Sequence, residues 1–435
     1  TQTPKDTDTE RHRHRKTQRP KDTDTEKLRH RKDWAQKSRG KTLMSEQRDL
    51  SLFVFVDAFG WEVFKQHASF LEGELQTTTP LGTIQGYSCT CDPTIISGKL
   101  PSVHGHLSFF SYSPENSPFG WCRVFSMLPK SLTRRGRVRR YISKFVQVVQ
   151  GYTGYFQLYN VPFNYLHLFD YSEKRDIYQP GGLNGGVPTI FDHWRENQTP
   201  FSLSDWRRPE AENLQQVEND IRTGDIRAAY VYLAALDGIM HAKGTKHQQI
   251  DDKIRWYDEQ LRNLLKVGRQ NYDSVNLHIF SDHGMTNVHT DYDLIGSLDA
   301  AGLKFNRDYA AMFDSTMARF WFLRDGAEST VRQALAADTM GRFLTEDDEK
   351  SEGIYFADRR YGEAMFLLDP GVLMVPSFMG NTHIAGMHGY SPHDKDSVAF
   401  FGSTAKIDAP PERLDDLYDL MKRDTAVREV YDITH

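Results

Sequence analysis

A doubly wound, mostly parallel α/β sheet is predicted by three observations. Three short apolar runs, rich in β-formers, each end at an aspartate. A helix-length amphipathic segment separates the second run from the third. Two long stretches break this rhythm, as insertions covering the ligand edge of such a sheet would.

The first run, Ser51–Val56, is continuous rather than alternating, which suits a strand buried on both faces, and it ends at Asp57. The second, Ala228–Leu236, ends at Asp237, and the third, Val275–Ser281, at Asp282. Between them, Gln248 to Gly268 carries Ile250, Ile254, Trp256, Leu261, Leu264 and Leu265 along one helical face. Strand, helix, strand is the unit of a parallel sheet. The stretch at about 112–225 is rich in Tyr, Phe, Pro and Gly. The stretch at about 290–386 predicts a small α+β unit: a strand at Ala318–Leu323, a helix from Gly326 to Ala337 and a strand at Glu363–Leu368. Both are expected to be cap insertions within one catalytic domain spanning 44–435.

Residues 1–43 are set apart. TQTPKDTDTERHRHRK is followed by TQRPKDTDTEKLRHRK, a repeat with almost no apolar side chain to bury, so a disordered tail is expected. This tail carries 14 Lys and Arg against 7 Asp and Glu, which leaves 40 against 52 for the remainder. An acidic body does not suit a dedicated nucleic-acid binder. Three cysteines, Cys89, Cys91 and Cys122, do not make a disulfide framework. No run of about 18 apolar residues predicts a transmembrane helix. Neither the N-terminus nor the segment after Met44 has the apolar core of a secretory signal, so a cytoplasmic, reduced enzyme is expected.

In an open α/β sheet, ligands bind beyond the carboxyl ends of the strands, which places Asp57, Asp237 and Asp282 on one rim. Singly, an Asp after a strand is commonly a turn former or helix cap. The company differs here. His241 follows Asp237 at i+4, sharing a face if the segment is helical, His283 follows Asp282 directly, and His388 sits in GMHGYSP beside glycines. Three Asp and three His suit two divalent ions, zinc or alternatively manganese. Tyr87–Gly98 is dense in hydroxyls and leads into a predicted helix, where a nucleophile would meet a phosphate-favouring helix start.

The motifs VDAFG, TIISGKLPSVHGH, ALDGIMHAKG, IFSDHGM and MHGYSP follow one another in the span 50–393. This set resembles the alkaline phosphatase superfamily, and most closely the branch of nucleotide pyrophosphatase/phosphodiesterases and their bacterial relatives. The resemblance implies that Asp57, Asp282 and His283 hold one ion together with the nucleophile oxygen, and that Asp237, His241 and His388 hold the other. The family places its nucleophile ten residues before the glycine of a (Ser/Thr)-Gly pair. Here the pair is Ser97-Gly98, which puts the nucleophile at Ser88, with Thr90 the nearest competing hydroxyl. Phosphodiesterase members usually have Thr there, and a phosphate-binding Asn where this chain has Ser108-Phe109-Phe110. A backbone N–H or a basic group is the expected substitute. The sulfatases of the same fold need Cys-x-Pro-x-Arg. Cys91-Asp-Pro93-Thr94-Ile95 lacks the Arg and lies too close to Gly98.

The expected function is therefore hydrolysis of a small-molecule phosphodiester through a phosphoseryl intermediate. A phosphomonoesterase or phosphoryl-group transferase is the alternative, and a non-catalytic metal-binding interaction protein the second. The aromatic stretch from Tyr152 to Tyr171 is expected to form the core of an insertion or to grip the substrate. Arg134, Arg135, Arg137, Arg139 and Arg140 form a basic cluster, expected to be a solvated helix face, with a contact to phosphate groups or to an anionic surface as the alternatives. His104 and His106 are expected to serve packing, and His289 and His383 to be surface or supporting groups.

Overall fold

The computed structural model describes residues 48–128 and 136–426. The repeat-bearing tail at 1–43 lies outside them, as do Arg134 and Arg135.

Strand Asp49–Val56 is central because its side chains are apolar in both directions. Leu50, Leu52, Val54 and Val56 pack into one core layer, and Phe53 and Phe55 into another. Each fully buried side chain of this size contributes about 1.5–3 kcal/mol. Ala228–Leu233 and Ser274–Phe280 pair with this strand in parallel on either side, in the registers Val56↔Leu233 and Phe55↔Phe280. The six-stranded sheet has the order Thr77–Leu81, Ala399–Ser403, Ser274–Phe280, Asp49–Val56, Ala228–Leu233, Phe201–Leu203. Only Ala399–Ser403 runs against the rest. Helices Glu210–Thr223 and Gln248–Asn271 cover one face. Helices Ser88–Ser97, Ile190–Glu196 and Asp416–Thr425 cover the other. This is the doubly wound, mostly parallel sheet expected.

The stretch at about 112–225 divides. From Ile190 onward it supplies a helix, strand Phe201–Leu203 and helix Glu210–Thr223 to the main sheet itself. Its earlier part packs in a separate core with the second stretch. There, Tyr309–Phe313, Met317–Phe322, Ala364–Leu368 and Gly341–Phe343 form an antiparallel sheet beside helix Ala327–Asp338. Among the described residues no helix is long and apolar enough to cross a membrane.

Candidate active site

The parallel strands deliver their ends to one edge. Asp57 follows Val56 directly, and Asp282 lies two residues past Phe280. The second strand stops at Leu233, so Asp237 sits in the first turn of helix Ala235–Lys243, with His241 one turn on. The predicted i,i+4 relation holds: His241 Nε2 lies 3.2 Å from Asp237 Oδ1. The Asp57 and Asp282 turns touch with no room for side chains. A Cβ on Gly60 would stand 2.3 Å from the Cα of Gly284.

The six expected ligands converge. Tyr232 donates to Asp57 Oδ2 at 2.6 Å, and the backbone N–H groups of Ala58 and His283 donate to Asp282 Oδ1. Their other oxygens point elsewhere: Asp57 Oδ1, Asp282 Oδ2, Asp237 Oδ1 and His388 Nδ1 are all buried without a hydrogen-bond partner. Such orphans are costly unless something satisfies them. His283 Nδ1 is bonded to the Gly284 carbonyl and His241 Nδ1 to the Gly386 carbonyl, both at 2.9 Å. Nδ1 is then the donor in each ring, and Nε2 presents a lone pair. His283 Nε2 lies 3.0 Å from Asp282 Oδ2 and 3.8 Å from Asp57 Oδ1. His388 Nε2 lies 3.6 Å from Asp237 Oδ1, and its ring stacks on that of His283 at 3.7 Å.

The electrostatics favour an added cation. Burial, then the charges of Asp282 and Asp237, pushes the Asp57 carboxyl well above its usual range. Burial disfavours a charge on His283, yet Asp282 and then Asp237 outweigh it and hold that imidazole above its ordinary value. Burial and the neighbouring imidazoles push His388 well below. Two trios of ligand atoms lie within 4.8 Å of one another: Asp57, Asp282 and His283, and Asp237, His283 and His388. The first is the expected trio. In the second, His283 stands where His241 was expected, because the stacked imidazoles lie between the groups while His241 touches only the Asp237 side. Oxygen and imidazole donors with three orphaned carboxylate oxygens fit a pair of divalent ions.

Ser88 opens helix Ser88–Ser97, whose first N–H groups lack intrahelical acceptors, and its Oγ lies 3.1 Å from His283 Nε2. Thr90 is wholly buried and donates to the Leu107 carbonyl at 2.6 Å. A cavity of about 490 Å³ opens from this cluster. Phe109, Tyr155, Tyr159, Tyr178 and Trp206 line it, with Asp92, Glu173 and Asp314, and among the described residues no Lys or Arg does.

Sequence reasoning missed several of these groups. Tyr232, which orients Asp57, sits inside an apolar run where a tyrosine carries no signal. Glu173 lies in the first insertion; burial pushes its carboxyl up to about 8. Arg319 is fully buried and pairs with Asp314 at 2.9 Å. It also donates to Ser108 Oγ at 2.8 Å and to the carbonyls of Phe110 and Tyr361. Arg319 thus positions Ser108, which lines the cavity. Of the expected arginine cluster, the described members do not line the cavity: Arg139 packs on Phe163 and donates to the Val161 carbonyl, and Arg137 and Arg140 are exposed. The aromatic stretch divides: Phe156, Phe169 and Tyr171 form core, as expected, and Tyr155 and Tyr159 line the cavity. His104 bonds Thr94, and His106 accepts from the Asn184 backbone N–H, both away from the cluster. His383 pairs with Asp291, and His289 bonds Thr290. Cys89, Cys91 and Cys122 are all free thiols.

A doubly wound sheet with an Asp/His cluster and a hydroxyl at its carboxyl edge defines an alkaline phosphatase-like hydrolase. A model of the type I phosphodiesterase / nucleotide pyrophosphatase family matches residues 52–391, and the chain belongs to that family. It is a hydrolase of phosphoric ester bonds. Among solved structures it is similar to murine ectonucleotide pyrophosphatase / phosphodiesterase 5, at 14% identity and a TM-score of 0.62 over 87% of this chain and 95% of that one. An inactive variant of the murine protein in complex with AMP matches at 15% identity and a TM-score of 0.62, over 87% of this chain and 95% of that one. The human protein matches at 13% and 0.61, over 88% of this chain and 96% of that one. At this identity the likeness concerns the fold.

Proposed function

We propose that this chain cleaves phosphodiesters by double displacement, with Ser88 as nucleophile and two divalent ions, zinc or alternatively manganese, held by Asp57, Asp282 and His283 and by Asp237, His241 and His388. The observation that carries this reading is the set of three buried, unpartnered carboxylate oxygens, on Asp57, Asp237 and Asp282, in the cluster that His283 shares with the Ser88 hydroxyl. When bound, the ions would supply positive charge that acidifies that hydroxyl and stabilises the departing oxygen. Ser88 Oγ attacks phosphorus in line; the new Oγ–P bond forms as the bond to the leaving alcohol breaks. Water then attacks the serine-bound phosphorus, which still carries the second alcohol, releasing a phosphomonoester and restoring the hydroxyl. The start of helix Ser88–Ser97 favours the non-bridging oxygens.

Phe109 occupies part of the segment where the family usually has its phosphate-binding Asn. With aromatic walls, carboxylates and no Lys or Arg among the described residues that line it, the cavity disfavours further phosphate groups. It suits a single diester whose alcohol is aromatic, apolar or cationic. A planar nucleobase fits this description, in keeping with the AMP complex of the murine relative.

The test compares bis-p-nitrophenyl phosphate with p-nitrophenyl phosphate before chelation, after it, and after zinc add-back. Zinc-restored turnover favouring the diester, with a phosphorylated Ser88 peptide trapped by rapid quench, is the expected result. Monoester preference would move the assignment to phosphatase chemistry. An active, metal-loaded Asp237→Ala variant would sink the ligand set.

A further inference from the structure

Ten large apolar side chains are exposed among the described residues, and eight of them lie in 121–128 and 136–149. Helix Gly136–Gln150 is the main source. Its inner side is ordinary: Ser143 and Val146 are buried, and Arg139 reaches the Val161 carbonyl. Its outer side carries Tyr141, Phe145, Val148 and Val149 at i, i+4, i+7 and i+8, the spacing of a core stripe, yet Tyr141 is 74% and Val148 79% exposed. The short helix Gly120–Met127 adds Trp121, Val124 and Met127, the last 84% exposed. The Trp121 and Phe145 rings meet edge to face at 6.1 Å, joining both segments into one patch. Scattered apolar residues need no explanation, but a contiguous patch marks a contact surface.

Charge identifies the occupant. From Asn116 to Phe169 the sequence has eight Lys and Arg and no Asp or Glu, in a chain of net charge -5. Arg123, Arg137, Arg140 and Lys144 are exposed around the apolar residues. The basic, apolar-poor tail would be repelled, and two copies meeting face to face would set like charges opposite. An anionic bilayer supplies hydrocarbon for Phe and Val, headgroups for the cations and an interfacial zone for Trp and Tyr.

We propose that this face docks on an anionic lipid surface, with helix Gly136–Gln150 lying in its plane. The inner side of the helix braces the loop behind the cavity: Ser143 Oγ accepts from the Leu158 N–H, and Gln147 donates to the Gly154 carbonyl. Lipid contact therefore sits one layer from Tyr155 and Tyr159 of the cavity wall. The inference stands on the surface alone, independent of the phosphoryl chemistry.

The test is flotation of the full chain with phosphatidylcholine vesicles, with and without phosphatidylserine. Binding only to the anionic vesicles, weakened by salt, is expected. The Phe145→Ser/Val148→Ser/Val149→Ser variant should lose affinity about tenfold or more while keeping its turnover of a soluble diester. Should that variant lose turnover, and so its fold, Arg140→Glu/Lys144→Glu takes its place, with the same loss expected. No binding to anionic vesicles would overturn the proposal. So would variants that bind like the parent, since the tail would then be the lipid contact. A dimeric parent with a monomeric triple variant would assign the face to a second copy instead.

Discussion

At the residue scale, two hydroxyls two positions apart in one helix have different fates. Ser88 Oγ meets His283 and the cavity, whereas Thr90 is spent on the Leu107 carbonyl. Ser88→Ala should abolish turnover, with a loss of at least about a thousandfold in kcat, and leave the fold intact. Thr90→Ala should lower stability by about 1–3 kcal/mol through the unsatisfied carbonyl and retain turnover. Steady-state kinetics and urea midpoints on both variants separate the roles. Glu173 gives a pH prediction. Its folded value, about 8, lies above the 4.5 of an ordinary glutamate because of burial. The folded state therefore holds a proton that the unfolded chain releases. Stability falls as pH rises through this window, by about 1.4 kcal/mol per unit, and levels off above it. Glu173→Gln removes that slope and should be the more stable protein at alkaline pH. Thermal melts of both proteins across the window check this, and parallel curves would refute it.

At the element scale, what the sequence disclosed follows from how each element buries its surface. Strands Asp49–Val56, Ala228–Leu233 and Ser274–Phe280 are flanked on both sides and so read as unbroken apolar runs. Helix Gln248–Asn271 has one dry face and shows its period. Phe201–Leu203 has three residues at the sheet edge, too few to show any period, and so the sequence does not separate the helices around it from a cover. Of the proposed ligands, Asp57, Asp237 and Asp282 stand out in the sequence because each follows an apolar run. Asp92, Glu173 and Asp314 were not, being single polar residues that only tertiary packing brings to one cavity. The turns that present the ligands offer their own test. Gly60→Ala would drive a Cβ into the Gly284 backbone, where no flexible side chain can yield. The Asp57 and Asp282 turns must then separate. Activity should fall at least about tenfold while the melting temperature drops by only a few degrees, an overpacking cost of about 1–3 kcal/mol. Unchanged activity would mean that the two turns tolerate displacement.

At the scale of the whole molecule, the proposed ligands run from Asp57 to His388 and meet only when the sheet is formed. The unfolded chain has no such cluster, so ion binding and folding are linked. An ion present at 100 times its dissociation constant would stabilise the fold by about 2.7 kcal/mol. Chelated protein should therefore melt several degrees below zinc-loaded protein. Asp57→Asn makes the argument two-sided. Burial, and then the like charges of Asp282 and Asp237, push the carboxyl it replaces well above the ordinary range. Neutralising it removes this cost, so the variant should melt at or above the chelated parent, and its advantage should grow with pH while the unfolded chain has lost the proton that the folded parent's Asp57 still holds. The same change deletes a ligand oxygen, so added zinc should shift its melt far less. Calorimetry on parent and variant, each with chelator and with zinc, reads both effects. A zinc shift that survives intact in Asp57→Asn would place the ion away from this cluster, and a chelated variant less stable than the chelated parent would mean that the carboxyl is held by favourable contacts rather than strained by its neighbours.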